Sequence, residues 1–227
     1  MTAGSEPHPI DVTRIVLRPI ANPLPLGFLA LTGGTTVLAA LQLGWIPPVE
    51  APAVSLVLLA FVAPLQLVAA VTGFLTRDVV ASTGMGVLTG TWLAVALVQL
   101  QLAPGGRSDA LASLLVVAGV AMLVPATGAL FGKIVPAAVL VTTALRFMST
   151  GVYEAAGSAA WKTTSGTIGL VLAVLALYAA FALVIDDVRR STAVPLLRLG
   201  RGSSSMSADL RAQVEGVEHE PGVREQL

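Results

Sequence analysis

Residues 53–75 read AVSLVLLAFVAPLQLVAAVTGFL, twenty-three positions without one charged side chain. A helix rises about 1.5 Å per residue, so this run reaches about 35 Å, enough to cross a hydrocarbon core roughly 30 Å thick. Arg77-Asp78 ends it, and a second uncharged run, 79–102, starts at once. Two such runs around a charged turn predict a hairpin of membrane helices, because in lipid each backbone N–H and C=O must be satisfied within its own segment or a closed barrel. Neither run alternates polar and apolar residues, so a β-barrel is disfavoured.

Four more stretches of the same kind extend the pattern: 26–46, 110–131, 134–153 and 166–185. Breakers and charges separate them, at Pro47-Pro48, Pro104-Gly105-Gly106-Arg107, Gly132-Lys133 and a longer 154–165 segment. The expected fold class is therefore an all-α integral membrane protein of six transmembrane helices. It divides into an N-terminal cytoplasmic segment (1–25), a six-helix membrane domain (26–187) and a cytoplasmic, largely disordered tail (188–227). The first segment does not read as a signal peptide, since it holds Pro7, Pro9, Pro19, Arg14 and Arg18 and no apolar core before Leu26. The tail is Ser-, Glu- and Gly-rich.

Composition agrees. Charged residues are 11% of the chain, against about 25% in soluble domains. Apolar residues are 55%, and the mean hydropathy is +0.85. These values exclude a soluble enzyme, a nucleic-acid binder and a disordered chain. Without cysteine there is no disulfide, thiolate metal site or cysteine nucleophile. His8 and His219 lie in the polar tails, and the spans offer no paired acids or nucleophile–base set. Neither enzyme activity nor a cofactor or metal is expected.

The charges balance at 13 cations and 13 anions, but their distribution is uneven. With six spans, Arg14, Arg18, Arg77, Lys133 and six tail arginines share one side, and Arg107 and Lys162 the other. The positive-inside rule puts the richer side, with both termini, in the cytoplasm. Trp45, Tyr153 and Trp161 fall at the outer boundary, where amphipathic rings prefer to sit.

The remaining cation, Arg146, is the one ionisable residue well inside a span, and such residues are costly enough to mark function. It is a candidate anion contact. The competing reading has it snorkelling to the outer boundary or pairing with Glu154. Gln66 is the second polar anomaly, an amide that must meet a helix, water or substrate. Gly86 and Gly90 form a GxxxG pair suited to tight packing, within or between protomers. Ser82, Thr83, Thr89 and Thr91 on the same helix are hydroxyls that can line a polar path. Pro64, Pro125 and Pro136 predict kinks.

At Asn22-Pro23-Leu24-Pro25-Leu26-Gly27 the chain resembles the acetate uptake transporter family, whose first helix opens with Asn-Pro-Ala-Pro-Leu-Gly. Here the prolines give an extended lead-in and Asn22 can cap the helix. Gln66, Phe74 and Trp92 keep the family's spacing, as do Gly166, Gly169, Tyr178, Thr192 and Pro195, so the resemblance covers about residues 22–195. It implies a six-helix protomer, a hexameric assembly, and a pathway through each protomer for acetate or succinate in a microbial membrane. It also implies a constriction, for which the matching positions are Leu31, Leu88 and Val141, with Asn22, Gln66 and Tyr178 as polar contacts along the path. The family's gate carries an aromatic and a Tyr where this chain has Leu31 and Leu88. Gly73 replaces its Glu, Asp78 its Asn, and Asp186-Asp187 its Asn-Glu pair.

The expected function is a transporter or channel for a small monocarboxylate such as acetate in a bacterial cytoplasmic membrane. Its partners would be the carboxylate, the bilayer and copies of itself, with no nucleic acid. The alternative is a membrane protein that keeps the fold for assembly or scaffolding without transport, a reading that Gly73 and the missing aromatics favour.

Overall fold

The computed structural model describes residues 20–189 and 195–197. The segments read above as a cytoplasmic N-terminus and a disordered tail lie largely outside the described residues. Six helices long and apolar enough to cross a membrane make up the described chain: α1 (Leu24–Gln42), α2 (Pro48–Leu75), α3 (Val79–Gln101), α4 (Asp109–Leu130), α5 (Ile134–Ala156) and α6 (Ala159–Arg189). There is no β-sheet among the described residues. This is the fold of a multi-pass membrane protein.

Two elements differ from expectation. The segment 154–165 is not a long connection: α5 runs to Ala156, Gly157 turns at a φ of 67°, and α6 begins at Ala159. Thr163, Thr164 and Ser165 lowered the apolar count there without breaking the helix, since a helical hydroxyl can be met by its own turn, as that of Thr167 is at the Thr163 carbonyl, or by a neighbouring helix, as that of Ser165 is at Gln42. α6 consequently has 31 residues. The second difference is in α2, where Leu58–Val62 is a π-helical turn directly before Pro64. Proline lacks an N–H and crowds the carbonyl four residues back, and the wider turn relieves both.

Helix ends are capped by side chains where the sequence allows. The Asp78 carboxylate accepts from the Ala81 N–H at 2.9 Å, a task that the family's Asn performs equally well. The Ser108 hydroxyl accepts from the Leu111 N–H at 3.3 Å. The Asn22 carbonyl oxygen accepts from the Leu24 N–H at 3.1 Å and so fixes the start of α1.

The helices pack in a closed ring, in the order α1, α2, α3, α4, α5, α6 and back to α1. Both described ends of the chain lie at one end of this ring, here called the terminal end. There the short segment Pro195–Leu197 folds back onto α5. The Ile134 N–H donates to the Leu197 carbonyl at 3.1 Å, the Val135 N–H to the Leu196 carbonyl at 3.5 Å, and the Leu196 side chain is buried. The Tyr178 hydroxyl donates to the Pro195 carbonyl at 2.8 Å and anchors the segment to α6.

Within the protomer, close approach of α4 and α5 depends on Gly119 and Gly151 rather than on the Gly86–Gly90 pair. A Cβ on Gly151 would lie 2.9 Å from the Ala112 carbonyl oxygen and 2.8 Å from a Val116 methyl, whereas one on Gly86 or Gly90 would meet nothing within 4 Å. Gly86 and Gly90 face out of the ring. Gly151→Val should therefore lower the stability of the purified protein by about 1–3 kcal/mol. Gly86→Val should leave it within error; thermal unfolding in detergent, monitored by tryptophan fluorescence, makes the comparison.

Candidate functional site

The ring encloses an axis, and each end of that axis opens into a cleft. At the terminal end, Leu24, Asp78, Val80, Lys133 and Pro136 surround about 160 Å³. At the far end, Leu38, Gln42, Gln99, Tyr153, Glu154 and Lys162 surround about 50 Å³. Between them the axis is filled. Leu31 on α1 and Leu88 on α3 are fully enclosed, as are Leu58, Met85 and Leu140. Trp92 meets Phe147 edge-on, with ring centroids 6.3 Å apart and planes at 78°.

The residues singled out from the sequence fall into three groups. Leu31, Leu88, Gln66 and Arg146 all point inward and are buried. Asn22 sits at the start of α1, partly exposed, with its carbonyl oxygen on the backbone. Val141 and Tyr178 do not join the interior: they are 38% and 39% exposed on the outside of the ring. On α5 the neighbouring side chain that does turn toward α3 is Leu140, 3.4 Å from where a Cβ on Gly84 would stand. The hydroxyls of Thr89 and Thr91 donate to the carbonyls of Met85 and Val87 on their own helix at 2.8 Å, as those of Ser82 and Thr83 do to Val79.

Arg146 neither snorkels nor pairs with Glu154. It is 1% exposed and its guanidinium turns inward across the ring. Nη1 donates to the Ser165 carbonyl on α6 at 2.6 Å, and Nη2 to the Gln42 side-chain oxygen on α1 at 3.2 Å. The Ser165 hydroxyl donates to the same Gln42 oxygen at 3.4 Å and also bonds the Thr150 hydroxyl. Room for the fork comes from Gly169, where a Cβ would stand 1.7 Å from Nη1. The Gly169 carbonyl in turn accepts from the Thr35 hydroxyl at 3.2 Å. Arginine keeps its proton at any physiological pH, yet its hydrogen-bond partners among the described residues are uncharged. A guanidinium taken out of water and met only by neutral acceptors is not fully compensated, and an anion would complete its shell.

Glu154 is engaged elsewhere. Its carboxylate accepts from the Ser108 N–H at 3.1 Å, while Arg107 donates to the backbone carbonyls of Glu154 and Ala155 at 3.2 and 3.3 Å. A cation over the last carbonyls of α5 suits the negative end of its dipole. Sequence reading had named Lys162 only as an outer-side cation and had not singled out Gln42 or Ser165. The one available signal for Gln42 was an amide retained inside an apolar span.

Gly73, which stands in place of the family's Glu, is pressed against the backbone of α3. A Cβ there would lie 2.7 Å from the Ser82 nitrogen and 3.0 Å from its Cα. No side chain fits at this crossing, so the departure from the family pattern is built into the packing of α2 on α3.

Comparison with known proteins places these features in context. A family model described as the GPR1/FUN34/yaaH family matches residues 4–200. A solved structure, described as that of the bacterial acetate channel SatP, aligns with a TM-score of 0.71 at 22% identity. The alignment covers 78% of this chain and 99% of that one, a likeness of fold. No curated protein matches by sequence.

The role of Gln42 is directly measurable. Gln42→Leu removes the acceptor for Nη2 and should cost about 1–3 kcal/mol of stability. Gln42→Glu supplies an acceptor with a countercharge and should melt clearly above the Leu variant at neutral pH.

Proposed function

The chain belongs to the GPR1/FUN34/yaaH family, and from that premise we propose that it moves small monocarboxylates such as acetate across a bacterial cytoplasmic membrane, through the axis of its own helix ring. The observation that carries this reading is the closed ring itself, with a cleft at each end and aliphatic side chains between them. Leu31 and Leu88 form the constriction. The third position moves from Val141 to Leu140, the buried side chain of α5 that reaches α3. An aliphatic constriction favours compact solutes whose loss of water costs least, so acetate is preferred to the longer succinate.

Arg146 and Lys162 attract carboxylates toward the far cleft. Gln66 is the polar contact beside the constriction, and Asn22 and Tyr178 serve to position backbone at the terminal end. The cations Arg77, Lys133 and Arg189 at the terminal end support a cytoplasmic location for both termini. The open face around Gly86 and Gly90 suits contact between protomers, in keeping with the hexamer that the resemblance implies.

Uptake of labelled acetate into proteoliposomes, against empty vesicles, tests the reading. Protein-dependent uptake is expected, Leu88→Ala should raise it several-fold, and Arg146→Gln should lower it several-fold. No protein-dependent uptake at any pH, with Leu88→Ala also at background, would return the scaffolding reading. A reporter fused to the C-terminus should be active on the cytoplasmic side, and a periplasmic signal overturns the orientation.

A further inference from the structure

Two buried polar atoms near the constriction have no partner among the described residues, the side-chain oxygen of Gln66 and the indole nitrogen of Trp92. Each such atom costs about 1–3 kcal/mol when unmet, and a native structure keeps few of them. Their chemistry is opposite. Trp92 offers only a donor, and the Gln66 oxygen is only an acceptor.

The orientation of the Gln66 amide follows from its neighbour. Its Nε2 donates to the Gly27 carbonyl at 3.4 Å, and a backbone carbonyl can only accept. The nitrogen must face Gly27, which leaves the oxygen as the free end. Gln66 is wholly buried.

Position along the axis is set by helix register. Gly27 and Met85 share one level, since a Cβ on Gly27 would stand 2.4 Å from the Met85 sulfur. One turn on toward the far end come Leu31 on α1 and Leu88 on α3. Trp92 is one turn further along the same face of α3. At about 1.5 Å per residue, Met85 and Trp92 are about 10 Å apart along the axis. A solute passing the two leucines from the far end thus meets a lone donor first and a lone acceptor second.

A carboxylate anion carries acceptors only. It suits the Trp92 N–H and is repelled by the Gln66 oxygen. The un-ionised acid has a carbonyl for the donor and a hydroxyl for the acceptor. We propose that the Gln66 side-chain oxygen is a specificity-determining group that accepts a hydrogen bond from the un-ionised carboxylic acid, so that the constriction passes the neutral acid and rejects its anion. The inference rests on the reading that carboxylic acids cross by the ring axis. Arg146 and Lys162 gather the anion at the far mouth, and the fraction that takes a proton from water there goes on past Gln66.

The test uses the full chain in proteoliposomes, with labelled acetate and with acetamide, an uncharged isostere that has both a donor and an acceptor. Protein-dependent acetate flux should follow the un-ionised fraction, falling about tenfold per pH unit from about pH 5.5 to 7.5, and should ignore a valinomycin-set membrane potential. The wild type should also pass acetamide. Gln66→Met, close in volume but without the acceptor, should lower both fluxes several-fold, flatten the pH slope and admit a potential-sensitive component. Trp92→Phe should lower flux and leave the slope unchanged, because the indole donor serves both forms.

Potential-driven acetate flux in the wild type, with acetamide excluded, overturns the inference and leaves carboxylate transport standing. A Gln66→Met variant with wild-type flux and slope also overturns it, and assigns the oxygen to a bound water. Absence of protein-dependent flux for both probes at every pH overturns the transport reading and the inference together.

Discussion

A helix ring in hydrocarbon has no surrounding water to push its members together, so closure has to come from contacts that lipid cannot imitate. The contact on which this ring depends most is the one that Arg146 makes. The guanidinium stands on α5 and holds a carbonyl of α6 and an amide of α1, so the first helix is tied to the last two by one side chain. Gly169 leaves the space, and Thr35 brings α1 to the same turn of α6. Removing the Gln42 amide would take from Nη2 its acceptor among the described residues. The arrangement is costly to build, because the guanidinium is held out of water by uncharged partners.

That tie also divides the interior by chemistry. Toward the far end the cleft carries Gln42, Gln99, Glu154 and Lys162, and the buried cluster of Arg146, Ser165 and Thr150 lies behind Gln42. In the middle it is aliphatic. Toward the terminal end a cleft opens beside Asp78 and Lys133. On the transport reading proposed above, Leu31 and Leu88 would be the step of greatest desolvation.

The number of helices was legible in the sequence because length and absence of charge suffice to identify a span. Which side of each helix faces inward was much harder to read. In a soluble protein the polar face points to water, but here lipid and core are both apolar, so Val141 and Leu140 are equivalent in composition and opposite in direction. Arg146 and Gln66 could be picked out because polar atoms in a span must face inward. Gln42 escaped notice near the end of its run, where an amide has water as an alternative partner. The start of α6 was misread for a related reason, since its threonines and serine are polar by composition yet sit in the helix, the Ser165 hydroxyl meeting Gln42 and Thr150 on neighbouring helices. Gly73 looked like a missing functional acid, and only the crossing of α2 and α3 explains why no side chain stands there.

The fold-back of Pro195–Leu197 bears on the order in which the protein is made. Membrane helices leave the translocon roughly in sequence, and the first amides of α5 have no turn before them to bond with. Here the Ile134 and Val135 amides are met by Leu197 and Leu196, which are synthesised only after all of α6. During biogenesis the start of α5 therefore waits, solvated at the membrane surface, until the chain beyond the last span has emerged. The fold is completed at its terminal end by nearly the last described residues to be translated, and a ribosome stalled within α6 would hold a protomer whose six-helix ring is still open.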